Sequence, residues 1–237
     1  MIKFITRVLF PPLIRLLFAA KIIGRKNMPA RGGVILASNH LSFFDSVIIT
    51  LLSRRPVSFL AKSEYFTGKG FKGALSRAFF ESINAISVDR RSASAAQDAL
   101  DAGLERIKQG EAFAMYPEGT RSLDGRLYRG KTGVAWLALT AGVPVVPVAL
   151  TGTDKIQPVG TRGIRLAKLR VQYGEPMDLS RFGSPESGKA RREATDAIME
   201  KIAAMSGQEY VGVYNEKPAT TIKKRVRRLF RGRAPLA

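Results

Sequence analysis

The sequence predicts an α/β fold: a single domain with a largely parallel or mixed central sheet flanked by helices, preceded by an amphipathic helical element that associates with membranes. Three observations carry this. Short apolar runs recur along the chain as strands buried on both faces require, stretches with apolar residues three and four apart separate them, and glycine or proline marks most joints. With 237 residues, 45% of them hydrophobic, there is material for one sizeable core.

The opening stretch, MIKFITRVLFPPLIRLLFAAKIIGRK, is apolar, but Lys3, Arg7, Arg15 and Lys21 interrupt it and Pro11-Pro12 break it. A spanning helix needs ~20 nearly uncharged residues, and Arg15 falls where a signal peptide would be apolar, so neither insertion nor export is expected. Leu13 and Leu17, and Ile14 and Phe18, repeat at helical spacing. Such a helix either packs on the core or lies in a headgroup layer with its cations near phosphates. We expect residues 1–30 to form a membrane-associating segment, 31–215 the folded domain, and 216–237 a basic tail that is disordered.

Gly32-Gly33 close the first segment, and VILAS (Val34 to Ser38) reads as a buried strand. A short helix is expected from Ser46 to Leu52, then strands at VSFLAK (Val57 to Lys62) and INAISV (Ile83 to Val88), with Gly68, Gly70 and Gly73 loosening the chain between them. Ser92 or Ser94 can cap a helix carrying Leu100, Leu104 and Ile107 on one face, and Gly110 sits where a helix end wants left-handed geometry. The strand AFAMY, a helix from Thr132 to Ala141 and the strand VPVVPVAL follow. Leu169, Val171 and Tyr173 alternate with polar neighbours as in an edge strand, and Pro185 to Met205 has the pattern of a long helix. In such a fold, ligands gather on the loops at strand ends.

The charge narrows the partners. Against 19 acidic residues stand 39 Lys and Arg, a net +20 that draws the chain toward polyanions. Eight of the cations lie from Lys217 onward with no acid among them, beside Val226, Leu229 and Phe230, a tail suited to anionic lipid. A basic nucleic-acid-binding protein is the rival class. No helix-turn-helix, zinc or RNA-binding signature supports it, so an anionic membrane surface is expected as partner and nucleic acid is not. The absence of cysteine excludes disulfides, zinc thiolate sites and a cysteine nucleophile.

His40 is the only histidine. It follows a predicted buried strand, with Asp45 five residues on. Imidazole is the side chain best suited to taking a proton near neutral pH, and a carboxylate on one ring nitrogen fixes its tautomer and steadies the imidazolium. Alone, the pair describes an ordinary structural histidine as well as a catalytic one. YPEGTRS (Tyr116 to Ser122), at the end of another apolar strand, adds a turn built on Pro117 and Gly119 and a cation, Arg121, able to clamp phosphate.

Together these blocks resemble the glycerolipid acyltransferases, above all the lysophosphatidate acyltransferase branch. NHLSFFD matches the family's N-H-x-x-x-x-D block through Asn39, His40 and Asp45. FLAKSEYF resembles the following A-K-x-E-L segment, with Lys62 as its cation. INAISVDR resembles the second block, ending on Arg90, with Asn84 where glycine is usual. YPEGTRS matches the third, and VPVVPVAL resembles the fourth, with Pro147 in place.

The resemblance spans Val34 to Leu150 and implies that the folded domain is an acyltransferase domain. It implies His40 and Asp45 as catalytic, with Asn39, Lys62, Arg90, Glu118, Gly119, Thr120 and Arg121 binding a lysophospholipid acceptor. It also implies acyl-CoA or acyl carrier protein as co-substrate, with no metal and no further cofactor, at the cytoplasmic face of the membrane. Glycerol 3-phosphate, another lysophospholipid or a glycolipid are the alternative acceptors. For an oxyanion site the backbone amides from Leu41 to Asp45 are the expectation.

Gly125 to Thr132 also fits the phosphate-loop pattern G-x-x-x-x-G-K-[ST]. That loop should leave its strand directly with free amides, whereas here a long turn and bulky side chains intervene, so a chance match is expected.

Overall fold

A computed structural model describes residues 4–89, 94–161 and 163–215. Seven strands form the main sheet: β1 (Lys21–Ile23), β2 (Val34–Ser38), β3 (Val57–Lys62), β4 (Ala85–Val88), β5 (Ala112–Met115), β7 (Val145–Thr151) and β8 (Arg170–Tyr173). Their order is β1-β8-β7-β2-β5-β3-β4. The five strands from β7 to β4 run parallel, while β8 is antiparallel to β7 and β1 parallel to β8, so the sheet is mixed. A small parallel pair joins β6 (Leu127–Tyr128) to β9 (Tyr210–Val211).

The helices are α1 (Phe10–Leu17), α2 (Phe44–Leu52), α3 (Gly70–Ser82), α4 (Ala95–Lys108), α5 (Gly133–Ala141), α6 (Thr153–Ile156) and α7 (Gly188–Ser206). Because side chains alternate along a strand, β2 feeds two cores. Val34 and Leu36 join α2, Phe80 of α3 and Ile156 of α6 on one face. Ile35 and Ala37 join Ile107 of α4, Leu137 of α5 and Ile198 of α7 on the other. Every residue of β2 is buried, as a continuous apolar run at the centre of a covered sheet requires. Among the described residues no helix is long and apolar enough to cross a membrane.

Four expectations need correction. The glycine-rich stretch after β3 carries a helix, α3, because Gly68 and Gly73 let backbone meet backbone: a Cβ on Gly73 would lie 2.0 Å from the Gly68 carbonyl oxygen. The 169–173 strand is not at the edge, since β1 pairs outside it, which buries Val171 and Tyr173. The strand expected from Ile83 begins at Ala85, because Ile83 ends α3 and Asn84 is left-handed at φ 58. The helix expected from Ser46 begins at Phe44.

Residues 21–23 lie within the sheet, and Phe10, Ile14 and Phe18 pack against the core while Leu13, Leu16 and Leu17 stay exposed. α1 thus has a core-facing stripe and a separate bare apolar one.

Candidate active site

Strands β2 and β5 are parallel neighbours, with Ala37 opposite Met115, so the loops that follow them leave the same edge of the sheet side by side. Backbone and carboxylate bonds staple these loops together. The Ser122 amide donates to the His40 carbonyl at 2.8 Å, and the His40 amide donates to Glu118 Oε1 at 3.2 Å. The Tyr128 amide donates to Glu118 Oε2 at 3.0 Å.

The chain turns from β2 into α2 around Asp45, which lies in the first turn of that helix and is fully buried. Its Oδ2 accepts the Leu41 amide at 2.6 Å, the Ser42 amide at 2.8 Å and His40 Nδ1 at 2.7 Å. A carboxylate can only accept, so Nδ1 holds the ring proton and Nε2 is left as the basic nitrogen. The His40 side chain keeps 18% of its surface exposed, enough for a ligand to reach it.

The geometry narrows the expected oxyanion site to one of its five amides, that of Phe43, which has no acceptor among the described hydrogen bonds. The amides of Leu41 and Ser42 are engaged by Asp45, that of Phe44 by the Ser42 hydroxyl and that of Asp45 by the Ser42 carbonyl. Compactness of the turn is the reason: those four donors face inward.

Tyr116, the last residue before the turn, stacks on the imidazole with ring centroids 3.9 Å apart and planes inclined by 12°. Its hydroxyl lies 2.8 Å from Ser46 Oγ on α2. Burial, and then the Asp45 charge, push this phenol well above its ordinary value, against the Ser46 hydrogen bond. It stays neutral. Its place as first letter of YPEGTRS was the available signal, but nothing in one sequence says which ring covers which.

Glu118 is 1% exposed, and burial raises its carboxyl to about 7 despite the two amides that favour the charged form. Asn39 is also fully buried. It exchanges two hydrogen bonds with the backbone of Leu150 in β7, at 2.8 and 2.9 Å, and donates to Gln208 Oε1 at 2.6 Å. Neither side chain faces open solvent as an acceptor ligand would require. Gly119 takes φ 73 at the tip of the turn, its amide donating to the Tyr116 carbonyl at 3.0 Å, so that amide is not free for an anion.

Thr120 is half-buried and Arg121 exposed, without an ion pair among the described residues. Lys62 is exposed at the same edge of the sheet, two strands from β2, a lateral step of about 10 Å. Arg90 lies outside the described residues. Lys131, seen in the sequence only as part of the phosphate-loop pattern, lies against Gly119: a Cβ there would sit 3.3 Å from Lys131 Nζ.

The phosphate-loop pattern itself has no free cradle. The amides of Leu127, Tyr128, Arg129 and Lys131 donate to Glu209, Glu118, Val213 and Pro117.

Residues 19–151 match the family model described as Acyltransferase. The chain is 35% identical over 170 residues to the chloroplastic 1-acyl-sn-glycerol-3-phosphate acyltransferase of Brassica napus, covering 68% of this chain and 47% of that one. It is 34% identical over 200 residues to the 1-acyl-sn-glycerol-3-phosphate acyltransferase of Chlamydomonas reinhardtii, covering 84% and 56%. The chain thus spans about half the length of these relatives. Among solved structures, the 1-acyl-sn-glycerophosphate (LPA) acyltransferase PlsC of Thermotoga maritima superposes with a TM-score of 0.65 at 25% identity, over 86% of this chain and 79% of the other. The family match covers both loops that meet at His40, and with it the chain belongs to the acyltransferase family.

Proposed function

We propose that this protein is a 1-acylglycerol-3-phosphate O-acyltransferase, moving a fatty acyl group from acyl-CoA or acyl carrier protein to the free hydroxyl of lysophosphatidic acid to give phosphatidic acid. The observation that carries the reading is the convergence of two loops: the base-bearing turn after β2 is bonded to the arginine-bearing turn after β5 through Glu118 and Ser122. One acceptor molecule reaches both.

In this reading His40 Nε2 removes the proton from the acceptor hydroxyl as its oxygen attacks the thioester carbonyl carbon. Asp45, bonded to Nδ1, stabilises the imidazolium. Collapse of the tetrahedral intermediate breaks the carbon–sulfur bond, and the sulfur takes the proton back from Nε2. Arg121 and Lys62, with Thr120 and Arg90, hold the acceptor phosphate, and the Gly119 turn gives it room. Asn39 and Glu118 act as braces, the first tying β2 to β7 and the second tying the two loops. The enzyme works at the cytoplasmic face of the membrane as a peripheral or monotopic protein, with lysolipid supplied from the bilayer.

The test is transfer by purified protein to lysophosphatidate and to glycerol 3-phosphate, each with acyl-CoA and acyl carrier protein donors. His40→Ala should stay folded and lose turnover by ~100-fold to ~10,000-fold, the range of general-base help. Near-normal turnover of that variant, or no transfer to either acceptor by the parent protein, rules the reading out.

A further inference from the structure

A cavity of about 320 Å³ lies at the far end of α2 from His40, within the ~300–1,000 Å³ typical of small-molecule sites. Its wall includes Arg7 and Arg15 from the N-terminal segment, Arg25 from the turn after β1, and Arg54 and Arg55 from the link between α2 and β3. Among the described residues, no Asp or Glu lines it. α2 begins at the catalytic edge of the sheet and ends at Ser53 beside this cavity. Nine helical residues, about 14 Å of rise, separate the two places.

Three of the five arginines are held in position by neutral groups. Arg25 Nη2 donates to the Ser53 carbonyl at 2.7 Å, Arg7 Nη2 to Asn84 Oδ1 at 3.1 Å, and Arg55 to the carbonyls of Gly110 and Gly32. Among the described residues, the Arg15 and Arg54 side chains have no hydrogen-bond or ion-pair partner, and none of the five side chains is ion-paired. Buried in the same wall, Arg25 Nε, Arg55 Nε and Thr50 Oγ1 lack hydrogen-bond partners. Burial lowers the Arg55 pKa, opposed by Glu111 outside the cavity, so the wall disfavours the charged guanidinium through lost hydration.

We infer that this cavity is a phosphate-binding site, distinct from the catalytic one, in which the guanidinium groups of Arg7, Arg15, Arg25, Arg54 and Arg55 take a phosphate monoester or diester. Guanidinium matches phosphate oxygens two at a time, and several arginines converging without a carboxylate suit a ligand with that geometry and charge. The phosphate comes from a lipid headgroup or from a soluble phosphate. The lipid source is favoured by the exposed Phe4, Val8, Leu9, Leu13, Leu16 and Leu17 of the segment that also supplies Arg7 and Arg15.

The experiment uses the full chain carrying Arg121→Gln, which removes the catalytic loop's arginine from the readout. A ligand that binds only the folded state raises the melting temperature with its concentration, so titration with inorganic phosphate reports affinity. Adding Arg15→Gln and Arg54→Gln should weaken phosphate binding at least ~10-fold, since each removes a charge-assisted contact. The melting temperature without phosphate should not fall, because neither side chain has a partner to lose among the described residues. A charge-matched control, Lys108→Gln with Lys201→Gln, should bind phosphate as the parent does.

Equal weakening in both double variants, or none in either, overturns the site. Sedimentation with phosphatidylcholine vesicles, with and without phosphatidic acid, separates the sources. Loss of the phosphatidic-acid-dependent fraction in the arginine variant alone assigns a lipid phosphate, whereas unchanged sedimentation with lost phosphate binding assigns a soluble one.

Discussion

Tyr116 covers one face of the His40 imidazole, 3.9 Å away and almost coplanar in tilt, while its hydroxyl meets Ser46 at 2.8 Å. The ring that donates to Asp45 is therefore fixed in two independent ways, by a hydrogen bond in its plane and a surface against its face. Tyr116→Phe keeps the surface and should retain most of kcat. Tyr116→Leu should lower kcat by ~10-fold with a smaller effect on KM, because orientation of the base matters chiefly in the transition state. Steady-state kinetics of the two variants check this.

Asp45→Asn keeps an oxygen for the Leu41 and Ser42 amides, so the turn should fold. It removes the charge that stabilises the imidazolium. We expect kcat to fall by ~100-fold or more with little change in melting temperature. A variant of parental turnover would mean that the carboxylate only shapes the loop.

Glu118 makes stability depend on pH in an unusual direction. Its folded pKa, about 7, lies above the ordinary 4.5, so the folded state binds the proton more tightly. Its contribution is complete below about 4.5 and is lost as pH rises through 7, by on the order of 3 kcal/mol. Asp124, Asp178 and Glu186, all exposed, are shifted downward by hydrogen bonds and act in the opposite sense at lower pH, below 3.8 to 4.5. Urea denaturation from pH 4.5 to 7.5 should show a declining slope that Glu118→Gln abolishes.

Asn39→Ala should destabilise the protein without touching the chemistry directly. It leaves the Leu150 amide and carbonyl without their side-chain partners in a dry core, a loss of about 2–3 kcal/mol. For a chain of this size that lowers the melting temperature by roughly 4–12 °C. Calorimetry at constant pH measures it.

The main strands were legible because a buried parallel strand is a plain apolar run: VILAS and VSFLAK are β2 and β3 to the residue. The polar neighbours of Val171 misled, since a partner of only three residues, Lys21 to Ile23, suffices to cover that edge and leaves no pattern of its own. Glycines at 68, 70 and 73 suggested loose chain, whereas the missing side chains of Gly68 and Gly73 permit a close backbone approach, and Gly70 supplies the left-handed turn where α3 starts. Asn84 departs from the family's glycine but takes a left-handed conformation that asparagine tolerates better than most residues, so the departure leaves the backbone path intact. At the candidate site, residue types and order pointed to His40, Asp45 and Arg121. What sequence could not give was direction: that Asn39 and Glu118 face inward, that four of the five amides from Leu41 to Asp45 are already engaged, and that Tyr116 lies over the imidazole.

The placement of β2 has a consequence for synthesis on the ribosome. Both of its neighbours are made later: β5 only at residues 112–115 and β7 only at 145–151. Until they emerge, a largely apolar strand has two open edges, a state prone to pairing with other chains. The nascent protein must shield that strand, by early burial under α2 or by a chaperone, before the loops bearing His40 and Arg121 can meet.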